Sequence, residues 1–241
     1  MRKLAIVLFL AAAAANAQTV DELVQKNLAA RGGAKLKALK SVTLTGSMSM
    51  GPMQAKLKVE KSRPDHFRMD LMFDGGVVVT RAFDGTTGWV KQPDQPAAVK
   101  VSGDELAAVR DQADFDGPLV DYKKKGNQIE LAGKADVDGT PAYKLKLTTK
   151  GGEETIVFLD AATYLEIREE QKRKLDGQEL RSETLIGGYR EVDGVRFATR
   201  VESRQEMGPD SPAPVVFTID KIDMNSSPSA DEFAMPPAGK E

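Results

Sequence analysis

Cysteine is absent from the 241 residues, and histidine and tryptophan occur once each. Without cysteine there can be neither a disulfide framework nor a diacylated amino-terminal anchor, so folding must rest on an apolar core. A single histidine cannot supply the clustered His and Cys ligands that zinc prefers, and no nucleophile has a base placed beside it. The expectation is no catalytic residue, no metal ligand and no cofactor. An excess of charge of one sign is missing too: 34 basic residues face 36 acidic ones, a net charge of -2. Such a field neither steers a polyanion nor holds an anionic membrane surface, and the cations are interleaved with acids, as in Lys172-Arg173-Lys174-Leu175-Asp176. Nucleic acid is excluded as a partner. No phosphate-cradling glycine motif stands between a strand and a helix, since Gly32-Gly33 closes a helix rather than opening one. Beyond the amino terminus no apolar run approaches the roughly 20 residues of a membrane helix.

The amino terminus itself has the parts of an export signal. Arg2 and Lys3 are a positive start, Leu4 to Ala15 an apolar run too short to span a bilayer, and Ala15-Asn16-Ala17 a small-x-small cleavage site. We expect residues 1–17 to be a signal peptide cleaved after Ala17, and residues 18–241 to form a single periplasmic domain.

Thr19 and Glu22 then form a capping box, with Val20, Leu23, Val24 and Leu28 on one helical face and Arg31-Gly32-Gly33 as the stop. A second short helix holds Leu36 and Leu39. From Ser41 the apolar period changes from helical to two. Val42, Leu44, Met48 and Met50 alternate with polar residues, Gly51-Pro52 turns the chain, and Met53, Ala55, Leu57 and Val59 alternate again. Phe67, Met69, Leu71 and Phe73 continue the pattern, followed by Val77, Val79 and Phe83, with Asp74-Gly75-Gly76 and Asp84-Gly85 as turns. Ser102 to Glu105 reads as a second capping box, opening a helix that runs to about Phe115 before Gly117-Pro118. Further strands are predicted near 127–133, 141–149, 153–160, 164–174, 179–190, 195–204 and 214–224, with Asp138-Gly139, Asp176-Gly177 and Asp193-Gly194 as turns. Met207 to Pro214 reads as a loop, and the tail after Asn225 as loosely held except near Phe233. A continuous meander of that many strands tends to curl, split or close. The predicted fold class is therefore mainly β: a strongly curved antiparallel sheet forming an incomplete barrel, its concave side covered by helices.

Methionine is concentrated in the early strands, at Met48, Met50, Met53, Met69 and Met72. Its flexible, polarizable side chain suits a wall that adapts to ligands of variable shape, although it fills ordinary cores equally well. Trp89 could line a pocket mouth or anchor a strand in the core. His66, in Pro64-Asp65-His66-Phe67-Arg68, reads as an ordinary strand-start residue, and Glu169 and Glu170, as neighbours in a strand, should point to opposite faces.

Three segments resemble a known family in order and spacing. Lys61-Ser62-Arg63-Pro64-Asp65-His66-Phe67-Arg68 is similar to the basic, Arg-Pro, aromatic strand entry of the periplasmic lipoprotein carriers LolA and LolB. Asp84-Gly85 through Trp89 to Pro93 resembles their Asp-Gly, Trp, Pro hairpin, and Phe233-Ala234-Met235-Pro236-Pro237-Ala238-Gly239 their closing Phe-x-x-Pro-Pro-x-Gly. The resemblance implies an incomplete barrel whose apolar concavity receives acyl chains of lipoproteins or phospholipids on the way to the outer membrane, in a monomeric, non-enzymatic carrier. A membrane transporter and an acceptor protein are its candidate partners. It also implies that Arg63 gates the lid, for which a guanidinium with five donors is suited. The lining expected from the alternation is Leu44, Met48, Met50, Met53, Leu57, Phe67, Met69, Leu71 and Trp89. A 16-carbon chain at about 0.8 kcal/mol per buried methylene carries roughly 13 kcal/mol of membrane preference, which favours a deep cavity over a surface groove. The alternative is an envelope stress sensor or adaptor that binds lipoproteins or a protein partner on a similar half barrel without transport.

Overall fold

The computed structural model describes residues 18–76, 78–175, 178–206 and 211–237. The segment 1–17 expected to be a signal peptide, Val77, the Asp176-Gly177 turn, the first part of the loop from Met207 and the last residues of the closing motif lie outside the described residues.

Helix α1 (Val20–Arg31) begins as its capping box dictates: the Thr19 N–H donates to Glu22 Oε2 at 2.8 Å and the Glu22 N–H to Thr19 Oγ1 at 3.3 Å. Helix α2 (Ala34–Ala38) follows directly. The first run of strands is β1 (Ser41–Met50), β2 (Met53–Ser62), β3 (His66–Phe73), β4 (Val78–Asp84), β5 (Gly88–Lys91) and β6 (Val99–Lys100). Helices α3 (Gly103–Ala113) and α4 (Tyr122–Lys125) then lead to β7 (Gln128–Val137), β8 (Thr140–Thr148), β9 (Glu154–Asp160), β10 (Glu166–Leu175) and β11 (Gln178–Gly187). The remaining strands are β12 (Arg190–Val192), β13 (Val195–Phe197), β14 (Arg200–Glu206) and β15 (Val215–Met224). Helix α3 ends at Ala113, short of Phe115, and the Ser102 side chain makes no capping bond, so the predicted second capping box does not form.

The sheet is not one continuous meander. Its order is β6-β5-β4-β3-β2-β1-β15-β14-β11-β10-β9-β8-β7, all antiparallel, with β12 and β13 a separate hairpin. The first and last strands of the chain therefore pair in the middle, and its central segment joins the two edges. Closest approach comes at a bulge between Thr45 and Gly46, where a Cβ on Gly46 would lie 1.8 Å from the Thr218 carbonyl oxygen. The protein is mainly β, with a large antiparallel sheet that does not close into a barrel, and α1 to α4 supply its few helices.

The helices share one face of this sheet, here the inner face. Leu23 and Val24 of α1, with Leu119 and Tyr122, pack on Ile129, Leu145, Leu147, Val157 and Leu159 of β7 to β9. At the other end Val109 and Ala113 of α3 pack on Phe67 and Phe83. Between them Leu28, Leu36, Leu39, Val42, Phe115, Val120 and Val195 make the joint. Against expectation, the described part of the tail after Asn225 is held on the outer face at several points and not only near Phe233. Thr43 Oγ1 donates to Ser226 Oγ at 2.8 Å, Arg68 Nη1 to the Glu232 carbonyl at 2.8 Å and Trp89 Nε1 to the Phe233 carbonyl at 2.8 Å.

Candidate functional site

Cross-strand pairs share a face, so register sorts the expected lining. Leu44 stands opposite Val59 and Val59 opposite Met69; Gly46 opposite Leu57 and Leu57 opposite Leu71; Met48 opposite Ala55; Met50 opposite Met53; and Phe67 opposite Phe83. Because Phe67 and Phe83 lie beneath α3, all of these residues are on the inner face. They are not equivalent. Phe67 is spent in the helix–sheet core, Met48 and Leu57 are buried in the floor, Leu44, Met50, Met69 and Leu71 are partly covered, and Met53 is 44% exposed. Phe217 and Val215 of β15, opposite Met48 and Met50, extend the apolar strip past the point where the chain ends meet.

Trp89 does not belong to this strip. Asp84 closes the β4–β5 turn through its N–H to the Thr87 carbonyl, which sets Gly88 opposite Phe83 and Trp89 opposite Ala82. The indole thus points to the outer face, with Ala82, Ala98 and Met235 around it and Phe233 above. Glycine at position 88 leaves room for this packing, since a Cβ there would meet the Leu106 and Val101 methyls at 2.8 Å. Trp89 contributes instead to an outer cleft of about 810 Å³ bordered by Arg68, Lys91 and the Met235–Pro237 segment. Met72 is on the outer face as well, opposite Lys56. His66 packs its ring on Phe233 with centroids 5.2 Å apart, an ordinary strand-start position.

Arg63 is at the centre of a hydrogen-bond network. Its Nε donates to the Leu39 carbonyl at 2.6 Å and its Nη2 to the Leu36 carbonyl at 3.1 Å, capping the end of α2. The same guanidinium grips the Asp116 carboxylate with two bonds of 2.6 Å and covers the Phe115 ring at 4.4 Å. It therefore joins both parts of the helical cover, α2 and the segment after α3, to the end of β2. The Asp116 bond holds the guanidinium even further above neutrality than usual. Burial pushes the Asp116 carboxyl up, but Arg63, with Lys125 and Arg31 nearby, outweighs it and holds the group below its ordinary range. Lys61, two residues earlier on the inner face, donates to the Asp114 carbonyl at 2.9 Å, and burial lowers its ammonium to about 8. Lys125 closes the network on the Asp114 carboxylate at 2.6 Å.

Sequence reasoning placed Arg63 but missed its carboxylate partner. Its signal was available in Asp114-Phe115-Asp116, two acids around an aromatic between a helix end and Gly117-Pro118. It also missed the composition of the inner face across β10, β11 and β14. There Gln171 donates to Thr155 Oγ1 at 3.1 Å, Thr184 to Ser203 Oγ at 3.5 Å, and Glu169 stands between these pairs. Glu169 faces inward and Glu170 outward, as strand alternation requires.

No family model and no curated protein sequence matches the chain. Solved structures do. A DUF1329 family protein from Desulfovibrio piger superposes with a TM-score of 0.62 at 15% identity, over 89% of this chain and 97% of that one. A LolA superfamily protein from Nitrosomonas europaea gives 0.62 at 12%, over 90% and 98%. An outer membrane lipoprotein-sorting protein domain from Vibrio parahaemolyticus gives 0.59 at 13%, over 87% and 97%. At these identities the likeness speaks for architecture: the chain has the LolA/LolB-like fold, an open antiparallel sheet with its helices gathered on one face.

Proposed function

We propose that the protein is an exported, periplasmic carrier that holds acyl chains of lipoproteins or other envelope lipids against its inner face and helps deliver them to the outer membrane. The observation that carries the reading is the apolar strip Met48, Met50, Met53, Leu57, Leu71 and Phe217, which broadens from a buried floor into side chains the helices leave partly uncovered. An apolar surface of this kind, with flexible methionines along it, accepts chains of differing shape and releases them. Arg63 serves as the gate, because loosening one guanidinium frees two carbonyls and a carboxylate and so releases α2 and the Phe115 segment together. The names of the structural neighbours from Nitrosomonas and Vibrio agree with this reading.

The test is native mass spectrometry, with organic extraction, of protein purified from its own envelope fraction. A copurified phospholipid or acylated peptide is the expected result and identifies the cargo. Folded, ligand-free protein that also refuses an added lipoprotein would replace the carrier with the adaptor, and return the methionines to ordinary packing.

A further inference from the structure

On the inner face two carboxylates, Glu166 and Glu169, share strand β10. Along β10 the ladder to β9 shifts register between Glu166 and Arg168, with Glu166 opposite Leu159 and Glu169 opposite Val157. Two residues three apart in a regular strand face opposite ways; the bulge at Ile167 brings both carboxylates to the inner side, beside buried Leu159 and Val157. No group among the described residues donates a hydrogen bond to the Glu169 carboxylate. The cations Lys61 and Arg81 of the inner face are engaged elsewhere, Lys61 with the Asp114 carbonyl and Arg81 with Glu105 of α3 at 3.6 Å. Glu169 is part-covered rather than buried, and a carboxylate with no donor among the described residues, set beside apolar Val157 and Leu159, is a group that a ligand can use.

Its place in the sheet says which ligand. The cross-strand row through Glu169 runs to Thr184, Ser203, Val215, Met50 and Met53, crossing from the polar strands into the apolar strip. Four strand spacings of about 4.8 Å separate β10 from β1, about 19 Å, a span comparable with an extended fatty acyl chain.

Building on the acyl-binding reading, we propose that Glu169 is the head-group subsite of this face, and that the ligand is an amphiphile with an acyl chain on the methionine strip and an ammonium head on the carboxylate. The charges around it favour a cation. Glu166 flanks it on the same strand, and the Tyr189 hydroxyl, which donates to the Glu166 carbonyl at 2.8 Å, is held well above its usual range by burial and then by Glu166. Arg31 acts on that phenol and is occupied with the Asp116 carbonyl; the strand partners Val157 and Thr184 carry no charge. An anionic head would meet two carboxylates, and a neutral head would gain only a hydrogen bond. Burial, followed by the Glu166 charge, pushes the Glu169 carboxyl up to about 7, so it is ionised above that pH and protonated below.

Calorimetry on the purified protein with dodecylammonium, dodecanol and dodecanoate, each below its micelle concentration, tests the assignment. At pH 8 dodecylammonium should bind roughly tenfold or more tighter than the other two, the scale of a charge-assisted hydrogen bond. That preference should fade as the pH drops through about 7. Glu169→Gln should abolish it while dodecanol affinity stays, and Glu170→Gln, on the outer face, should leave it intact. Equal binding of all three, a preference for dodecanoate, or a preference that survives Glu169→Gln would overturn the head-group assignment and leave acyl binding standing. Failure of all three to bind folded protein would overturn the acyl reading and this assignment with it. Should the Gln variant not fold, the pH profile of the unsubstituted protein decides, since a preference that stays flat between pH 6 and pH 8 rules Glu169 out.

Discussion

The two halves of the inner face have the same strand geometry and opposite chemistry. In β1 to β3 the inward positions are Leu44, Met48, Met50, Leu57, Met69 and Leu71, and no side-chain bonding is needed to hide them. Across β10, β11 and β14 they include Glu166, Glu169, Gln171, Ser182, Thr184 and Ser203 beside the apolar Ile186 and Val201, with side-chain hydrogen bonds from Gln171 to Thr155 and from Thr184 to Ser203. Both halves carry a true helix–sheet core near the helices, one under α3 and one under α1. The two covered cores hold the fold, while the space between them grades from apolar to polar.

The largest effect should come from breaking a covered core while sparing the open strip. Leu145→Ala, at a fully buried position under α1, is expected to lower unfolding free energy by about 2–5 kcal/mol, whereas Met53→Ala, at 44% exposure, should cost under about 0.5 kcal/mol and weaken acyl binding instead. Urea titration of the two variants beside calorimetry with a fatty acyl probe checks the pair; a Met53 variant that loses stability and keeps affinity would put that residue in the core.

A smaller loss, about 2–3 kcal/mol, is expected for Arg63→Leu, which strands the Asp116 carboxylate and two carbonyls. Adding Asp116→Asn should recover part of it, the mark of a coupled pair. The same variant should speed dissociation of a bound acyl probe by a larger factor than it changes unfolding, and proportionate changes in the two would make Arg63 a structural residue only.

The pH dependence of stability distinguishes the halves again. Glu169 has a folded value raised from 4.5 to about 7, so the native state binds more protons in that window, and stability falls as pH rises through it. Lys61 has a folded value lowered from 10.5 to about 8, so the unfolded state binds more protons between these values, and stability rises with pH there. Each slope is worth about 1–2 kcal/mol after solvent screening. Denaturation midpoints should therefore pass through a shallow minimum near pH 7 to 8, with Glu169→Gln flattening the acid limb and Lys61→Met the alkaline one. A variant that leaves its limb unchanged would deny that residue its shifted titration.

The smallest expected response is that of Trp89. Since the indole is on the outer face beneath Phe233, an acyl ligand should leave its emission unaltered, and Trp89→Phe should leave acyl affinity unchanged. A quench that saturates with ligand would bring Trp89 back into the site.

Much of this was readable in the chain because it depends on neighbours in sequence. The Thr19–Glu22 cap, the alternation in Val42 to Val59 and the turns at Asp84-Gly85, Asp138-Gly139 and Asp193-Gly194 specify elements within a few residues of their observed limits, since capping bonds, pleat and turn dihedrals are local. Alternation also placed Met48, Met50, Met53 and Met69 on one face and separated Glu169 from Glu170. It failed for Trp89, whose parity follows from a short turn; one residue of register reverses a side chain. It could not show that β1 and β15 pair, that the Thr45/Gly46 and Glu166/Arg168 bulges exist, or that Asp116 meets Arg63, because each depends on segments brought together from distant parts of the chain. Period and turn chemistry thus belong to short stretches of sequence. Which strands adjoin, where the ladder slips and which charges meet are settled when the whole sheet packs under its helices, where burial of a shared core selects one register among many locally acceptable ones.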